Sequence, residues 1–259
     1  MGAAMTKQNN YHEDIPNDKI FTGNRQLWRV EMGDDVLLRK KAIELTVLAD
    51  KYKYGYQWEW CGVPVIKHPD DIVLLQEIIW SLKPSVVIET GVARGGSLVL
   101  SATLISMTGL KSKVLGIDIQ VFPHTQNALQ KWIEMNQIEI LECDSSSDIA
   151  RNKLLSLTRD SNEPMLLILD SNHSEKHVHK ELQVLAPCLP IGSVVIVADT
   201  IIEEMPENYY EDRPWGKGNN PLSALNLFMS ENDDFVIENQ WSKRSLMGEC
   251  RNGIIRKIK

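Results

Sequence analysis

The sequence has little of what several classes of protein require. Its cysteines, Cys61, Cys143, Cys188 and Cys250, are far apart and form no C-x-x-C pair, which argues against a zinc ribbon or a disulfide framework. No apolar run approaches the ~18 residues that a membrane span needs. Acidic residues outnumber basic ones by 35 to 28 without any basic block, so nucleic acid is set aside as a substrate. We expect a cytoplasmic protein that acts on small molecules.

The chain is long enough for one large α/β domain, since it has 259 residues of which 43% are hydrophobic. Residues 1–33 are polar and predict an arm or a partly ordered extension. Apolar residues at helical spacing predict a helix over residues 34–54, and the aromatic segment 54–62 predicts a loop against the main domain. We therefore divide the chain into an N-terminal arm and helix, residues 1–60, and a main domain, residues 61–259.

Short apolar runs alternate with helix-period segments after Pro84. Such runs suit parallel strands that are covered on both faces, and β–α units in series predict a doubly wound parallel sheet of the Rossmann-like class. The runs are Ser85–Ile88, Lys113–Ile117, Ile138–Leu141, Met165–Leu169 and Ser193–Val197. Two later runs, Phe235–Glu238 and Gly253–Ile258, have no obvious helix between them and must pair antiparallel. We predict a parallel sheet that ends in an antiparallel hairpin.

The segment Glu89–Ser97 follows the first of these strands and carries the strongest signal for binding. Its glycines would let the backbone approach a ligand closely, at the edge of the sheet where ligands bind in this architecture. The following helix N-terminus suits a carboxylate, and Glu89 would pair with a ligand ammonium. Ala93 stands where G-x-G-x-x-G needs a second glycine, which weakens a nicotinamide interpretation. A tight turn without a ligand is the alternative.

Acidic residues end the next two strands of the series. Asp118 stands where a carboxylate typically binds ribose hydroxyls, with a solvated strand end as the alternative. Asp144 and Ser145 follow the third strand, at the height where an adenine ring would lie. The alternative for Asp144 is a helix cap.

Asp170 and Asp199 end the fourth and fifth strands and would emerge at the same edge of the sheet. Carboxylates from two strand ends suit Mg²⁺, which would bind a substrate hydroxyl and lower its pKa. Glu203 and Glu204 follow closely and would complete the shell, whereas capping of the following helices is the alternative. His173 is the candidate general base. The segment Arg213–Pro221 would be either a lid over the substrate or a surface loop tethered by Trp215.

These motifs together resemble the family called cephalosporin hydroxylase. The resemblance runs from about Tyr54 to the C-terminus. The segments that carry it are Val87–Ser97, Gly116–Asp118, Asp170–His173, Asp199–Glu203 and Arg213–Pro221. Members of that family are similar to S-adenosylmethionine-dependent O-methyltransferases, including the cephamycin 7-methoxylation protein and rhamnosyl O-methyltransferases. The resemblance implies a seven-stranded class I methyltransferase sheet, often in a homo-oligomer.

The same resemblance implies that Glu89, Gly91, Ser97, Asp118 and Asp144 lie on the cofactor side and that Asp170 and Asp199 lie on the metal side. Together with the motifs above, the expected cofactor-binding residues are Glu89, Thr90, Gly91, Gly95, Ser97, Asp118, Asp144, Ser145 and Asp170, and the expected metal ligands are Asp170, Asp199 and Glu203. Two positions depart from the family pattern. Ala198 stands where relatives often have a second acidic residue, and Arg94 stands where many have histidine. Ala198 therefore puts a three-carboxylate magnesium site in doubt unless Glu203 or Glu204 substitutes.

The leading hypothesis is a magnesium-assisted O-methyltransferase that acts on a hydroxyl of a sugar or a natural-product intermediate. Its catalytic residues would be Asp170, His173 and Asp199. One alternative is an oxidoreductase or hydroxylase, as the family's name suggests, but a 2-oxoglutarate enzyme would need a jelly roll with two histidines and a carboxylate. The other alternative is a non-catalytic, methyltransferase-like binding subunit, for which Ala198 is the best support.

Overall fold

The computed structural model describes residues 18–159 and 162–259 of the chain. The strands are β1 Trp58–Trp60, β2 Val63–Val65, β3 Val86–Thr90, β4 Lys113–Asp118, β5 Ile138–Glu142, β6 Leu166–Leu169, β7 Val194–Val197, β8 Phe235–Ile237 and β9 Ile254–Lys257. The helices are α1 Asp18–Asp34, α2 Val36–Asp50, α3 Pro69–Leu82, α4 Gly96–Thr108, α5 Pro123–Glu134, α6 Asp148–Thr158, α7 Glu175–Leu185, α8 Pro221–Glu231 and α9 Asn239–Ser242. Among these helices, none has the length and apolar character that a membrane crossing requires.

The main sheet has seven strands in the order β5-β4-β3-β6-β7-β9-β8. Strands β3 to β7 run parallel, and β9 pairs antiparallel with both β7 and β8. The predicted doubly wound sheet with an antiparallel C-terminal hairpin is therefore confirmed. The four-residue helix α9 lies between β8 and β9, but it is too short to carry the chain across the sheet for a parallel return.

Helices cover both faces of the sheet and bury its central strands. Every residue of β6 and β7 is buried, as expected for parallel strands covered on both sides. One apolar cluster lies on the face of α3 and α4, and a second lies on the face of α7 and α8. The carboxyl ends of the parallel strands consequently lie together at one edge of the buried core.

The N-terminal region is more ordered than its polarity indicates. Residues 18–33, predicted to belong to an arm or a partly ordered extension, form most of helix α1; the rest of that prediction lies outside the described residues. Helix α1 is anchored at its end by the ion pair of Asp34 with Lys243, whose Oδ1 and Nζ are 2.7 Å apart. Helix α2 begins after Asp35, whose Oδ1 accepts a hydrogen bond from the Leu38 amide, as an N-cap should.

The aromatic segment that was expected to be a loop is instead a 3-10 turn, Tyr54–Tyr56, followed by the hairpin of β1 and β2. Cys61 and Gly62 connect the two strands with φ angles of 52° and 79°. A two-residue hairpin turn with positive φ at both positions matches the right-handed twist of its strands. The tryptophans of β1 pack against the apolar cluster of α3 and α4, so the segment does lie against the main domain.

Candidate active site

The glycine-rich loop leaves β3 through a backbone turn that only glycine fits. Gly91 has a φ of 84°, and a Cβ atom there would stand 2.0 Å from the Asp170 carbonyl oxygen. Gly95 has a φ of 86° and is the N-cap of α4. Gly96 is equally confined, because a Cβ atom would stand 2.1 Å from the Pro64 carbonyl oxygen. The loop is thus pressed against β2 on one side and β6 on the other.

The polar side chains of this loop are held by one another. Ser97 donates from Oγ to Oε2 of Glu89 over 2.8 Å, and Thr90 is fully buried at the end of β3. Asp118 accepts from the Val92 amide over 2.7 Å, so the carboxylate at the end of β4 clamps the glycine loop. The loop residues predicted to bind the cofactor, together with Asp118, therefore lie together at one edge of the sheet.

Asp144 and Ser145 lie at the end of β5, as predicted. Asp144 accepts from the amide and hydroxyl of Ser146, each over 2.8 Å, and these hydrogen bonds lower the Asp144 pKa. The cap of α6 is Ser147 rather than Asp144, so the helix-cap alternative for Asp144 is wrong. Ser145 is buried, with its Oγ 3.3 Å from Nε2 of His177.

The carboxylates at the ends of β6 and β7 converge with a histidine. One ligand atom each from Asp170, His173 and Asp199 lies within 4.8 Å of the others. Nδ1 of His173 is 3.4 Å from Oδ2 of Asp199. Burial raises the pKa of Asp199 to about 6 against the opposing effect of His173. Asp170 caps no helix, since Ser174 is the N-cap of α7. Asp199 occupies the N-cap position of the 3-10 segment Thr200–Glu204, but its side chain makes no cap hydrogen bond there.

Glu203 is not part of this cluster. Its Oε2 accepts from the Gly218 amide over 2.8 Å and from Nδ2 of Asn220 over 2.5 Å. The structure therefore uses Glu203 to fix the loop 205–220 and brings His173 to the two aspartates in its place. The chain turns away after β7 because Asp199 takes a left-handed φ of 54°, which sends the following 3-10 segment toward that loop.

The sequence analysis missed Lys67, which is 4% exposed and lies just before α3. Its Nζ is 2.7 Å from Oδ2 of Asp170 and 3.7 Å from Oε1 of Glu89. Burial alone would lower the Lys67 pKa, but the two carboxylates outweigh it and hold that pKa well above its usual range. Burial also raises the pKa of Glu89 to about 7, against the opposing charge of Lys67. A lysine directly after the apolar stretch Val63–Ile66 was the available signal.

Two cavities meet at this edge of the sheet. A small one of about 40 Å³ lies along the glycine loop and is bounded by Glu89, Lys67 and Asp170. The larger one, hereafter the acceptor cleft, has a volume of about 320 Å³ and is bounded by His173 and Asp199. Its other lining residues are Thr46, Asp50, Lys53, Tyr56, Ile66, His68, Ile201, Ile202, Met205, Tyr210, Arg213, Trp215 and Glu249. The cluster of Asp170, His173 and Asp199 therefore lies where the two cavities meet.

Comparison with known proteins identifies the family. A sequence model described as Rhamnosyl O-methyltransferase/CmcI matches residues 52–258. The chain belongs to the rhamnosyl O-methyltransferase/CmcI family. This assignment confirms both the predicted resemblance and the class of enzyme, an O-methyltransferase. The alternatives of an oxidoreductase and of a non-catalytic subunit are not supported, and the observed α/β sheet is not a jelly roll.

Named relatives of this family are similar over much of the chain. The rhamnosyl O-methyltransferase of Mycobacterium leprae is 31% identical over 160 residues, which are 60% of this chain and 68% of the relative. That of Mycobacterium tuberculosis H37Rv is 30% identical over 173 residues, which are 66% of each chain. The chain thus spans about two thirds of the length of these relatives.

Solved structures of the rhamnosyl O-methyltransferase/CmcI family and of another methyltransferase share the fold. CmcI with Mg and SAM is 19% identical with a TM-score of 0.52, covering 79% of this chain and 78% of that one. The SAH-bound methyltransferase PaMTH1 of Podospora anserina is 13% identical with a TM-score of 0.53 over the whole of both chains. At these identities the likeness shows the architecture, and the seven-stranded methyltransferase sheet is confirmed.

Proposed function

We propose that this family member transfers the methyl group of S-adenosylmethionine to a hydroxyl of a sugar or a natural-product intermediate, with a divalent cation at Asp170 and Asp199. The observation that carries the proposal is the position of these carboxylates and His173 where the cofactor loop meets the acceptor cleft. The similarity to rhamnosyl O-methyltransferases supports a sugar acceptor, and the CmcI structure with Mg and SAM supports a magnesium ion. Self-association and a cytoplasmic location stay predictions.

The residues present fit the cofactor. Gly91 and Gly95, both at positive φ, carry the loop away from the sheet edge without side chains, so its amides and the N-terminus of α4 suit the cofactor's carboxylate. Glu89 is the acidic partner for its ammonium, which explains why a nearly inaccessible carboxylate with a raised pKa lies at this strand end. Asp118 and Asp144 would bind the ribose and the adenine.

The donor set also fits a divalent cation. The two carboxylates, Asp170 and Asp199, offer the hard oxygen ligands that Mg²⁺ prefers. Glu203 is left out of the proposed ligand set because it already fixes the loop 205–220. A bound cation would lower the pKa of an acceptor hydroxyl. His173 would remove the proton through Nε2 while Nδ1 faces Asp199.

The proposed function is tested by a methyl-transfer screen over glycosides and pathway intermediates, with the acceptor identified by its mass shift. Asp199→Ala should cut turnover by about 10²–10⁴-fold, the range for loss of a positioned acid–base or metal group, while calorimetry shows unchanged cofactor affinity. The exposed Glu207→Gln of the loop 205–220 is the control. If Asp199→Ala keeps the wild-type turnover, the proposed role of Asp199 is contradicted. If calorimetry detects no heat of binding for S-adenosylmethionine, with or without Mg²⁺, the proposed function is contradicted.

The two ways of activating the hydroxyl give different results in the same assay. If the cation activates the acceptor, a chelator abolishes turnover and added Mg²⁺ restores it. If His173 does so alone, the chelator has no effect and His173→Ala loses the activity.

A further inference from the structure

The acceptor cleft has a wall that comes from outside the matched range of the family, residues 52–258. Thr46 and Asp50 of α2 and the following Lys53 line the same cleft as His173 and Asp199. Only Lys53 lies within the matched range, at its edge. A helix that the sequence analysis separated from the main domain therefore faces the proposed catalytic cluster.

Ion pairs hold α2 in this position. Nη2 of Arg39 is 3.0 Å from Oε1 of Glu204, while Nη2 of Arg251 is 3.1 Å from Oε2 of the same carboxylate. Arg251 is completely buried, so its charge needs this partner at a defined place. Glu204 thus links α2 to the core of the protein, and this link fixes the position of the helix beside the acceptor cleft.

A second contact joins α2 to the loop 205–220. Tyr209 donates from its hydroxyl to Oδ2 of Asp50 over 2.7 Å. Asp50 is also 3.7 Å from Nζ of Lys53. Both contacts reach Oδ2 of Asp50, and neither reaches Oδ1. The side chains of Asp50 and Lys53 are 39% and 70% exposed, which places them at the open mouth of the cleft.

The groups around the cleft match one chemical class of acceptor. Asp50 offers an acceptor of hydrogen bonds and Lys53 offers a donor, which are the two functions that vicinal hydroxyls require. Tyr56 and Trp215 line the same cleft, and aromatic rings supply the apolar surface for the faces of a ring. Trp215 also packs edge-on against His173, with ring centroids 4.9 Å apart, so this surface is continuous with the reactive cluster.

We propose that the segment Thr46–Lys53 is the acceptor-recognition wall, and that Asp50 and Lys53 bind hydroxyls of a glycoside ring whose neighbouring hydroxyl is methylated. This inference rests on the proposed function and names residues that determine its specificity. Asp50 and Lys53 act in binding and take no part in removing the proton.

The test uses the full chain as the enzyme, with methyl rhamnoside and its monodeoxy analogues as acceptors. Lys53→Met and Asp50→Asn should each raise the KM for methyl rhamnoside by roughly ten-fold, as expected for a lost polar contact, with kcat and the calorimetric affinity for S-adenosylmethionine unchanged. They should also lose discrimination against the deoxy analogue that lacks the bound hydroxyl, an effect that a merely structural role would not produce. The control is Lys41→Met, which removes an exposed lysine of α2 that pairs with Glu44.

If both variants keep the wild-type KM and the wild-type discrimination against the deoxy analogues, the proposed role of Thr46–Lys53 in acceptor recognition is contradicted. A wild-type protein that binds S-adenosylmethionine but methylates no glycoside of the series would overturn the glycoside class and leave the cofactor site standing. A wild-type protein that does not bind S-adenosylmethionine would instead overturn the proposed function itself. Unchanged melting temperatures verify that the variants are folded.

Discussion

The two walls of the site are built in different ways. The proposed cofactor wall, Glu89–Ser97, is a continuous loop whose shape comes from glycines in conformations that other residues avoid. The proposed acceptor-recognition wall, Thr46–Lys53, is far in sequence from the loop 205–220, and side-chain contacts such as that of Tyr209 with Asp50 join the two. A binding surface that is formed by the backbone suits one ligand in one position. A binding surface that is formed by side chains can change its specificity when one of those side chains is substituted, and the sheet is not disturbed.

The largest effect should come from Lys67→Met, which removes the ammonium between Asp170 and Glu89. Breaking a buried ion pair by removing one partner costs about 3–5 kcal/mol in the free energy of unfolding. The Glu89 pKa, already about 7, should rise further because Lys67 lowers it. Glu89 must be ionised to pair with the cofactor's ammonium, so cofactor affinity should be reduced at neutral pH and should recover as the pH increases.

Calorimetric titration across pH and chemical denaturation check this prediction. Lys153→Met, which removes a surface pair with Glu139, should change stability by less than about 1 kcal/mol. Wild-type affinity at every pH in Lys67→Met would show that the cofactor wall does not depend on the lysine.

A smaller effect is expected for Gly91→Ala. The new Cβ would lie 2.0 Å from the Asp170 carbonyl oxygen, and the φ of 84° adds strain, so the variant should lose about 2–4 kcal/mol of stability and bind the cofactor weakly. Gly62→Ala is the matched control, because φ is 79° but no atom lies within 4 Å of its Cβ. It should cost only about 1 kcal/mol. Equal losses in both variants, measured by denaturation, would contradict the close approach of Gly91.

The smallest effect belongs to the acceptor-recognition wall. Tyr209→Phe removes the hydrogen bond to Asp50 and should cost about 0.5–1.5 kcal/mol of stability, with a few-fold rise in the KM for the acceptor. The affinity for S-adenosylmethionine, measured in the same preparation, should stay at the wild-type value. If the substitution changes the affinity for S-adenosylmethionine and leaves the KM for the acceptor unchanged, the assignment of the two walls is contradicted.

The same difference explains what could be predicted from the sequence. The buried strands and the glycine loop have local signals, since continuous apolar runs and glycine at a strand end restrict the backbone directly. Asp170 and Asp199 could be placed together because parallel strands end at one edge. In contrast, Lys67 and Asp50 reach the site through tertiary packing, which leaves no periodic pattern. Helix α1 was missed because its many polar residues conceal the helical spacing of Leu27 and Val30.

The hairpin of β1 and β2 was missed for a different reason. Its strands have three residues each, which is too short for alternation to stand out, and its turn uses Cys61 in a conformation usually taken by glycine or asparagine. Metal ligation by Glu203 was expected from its nearness in sequence to Asp199. The left-handed turn at Asp199 directs it elsewhere, and sequence distance does not reveal such a turn.

The carboxylate of Glu204 has a consequence for the order of assembly. It joins Arg39, near the start of the chain, to Arg251, near its end. During synthesis the ribosome releases α2 long before its partners Glu204 and Tyr209, which follow β7, and Arg251, which holds Glu204, emerges later still. The neighbours that confine the glycine loop, Pro64, Asp118 and Asp170, all precede β7. The half of the enzyme that we propose selects the acceptor is therefore completed after the half that we propose holds the methyl donor.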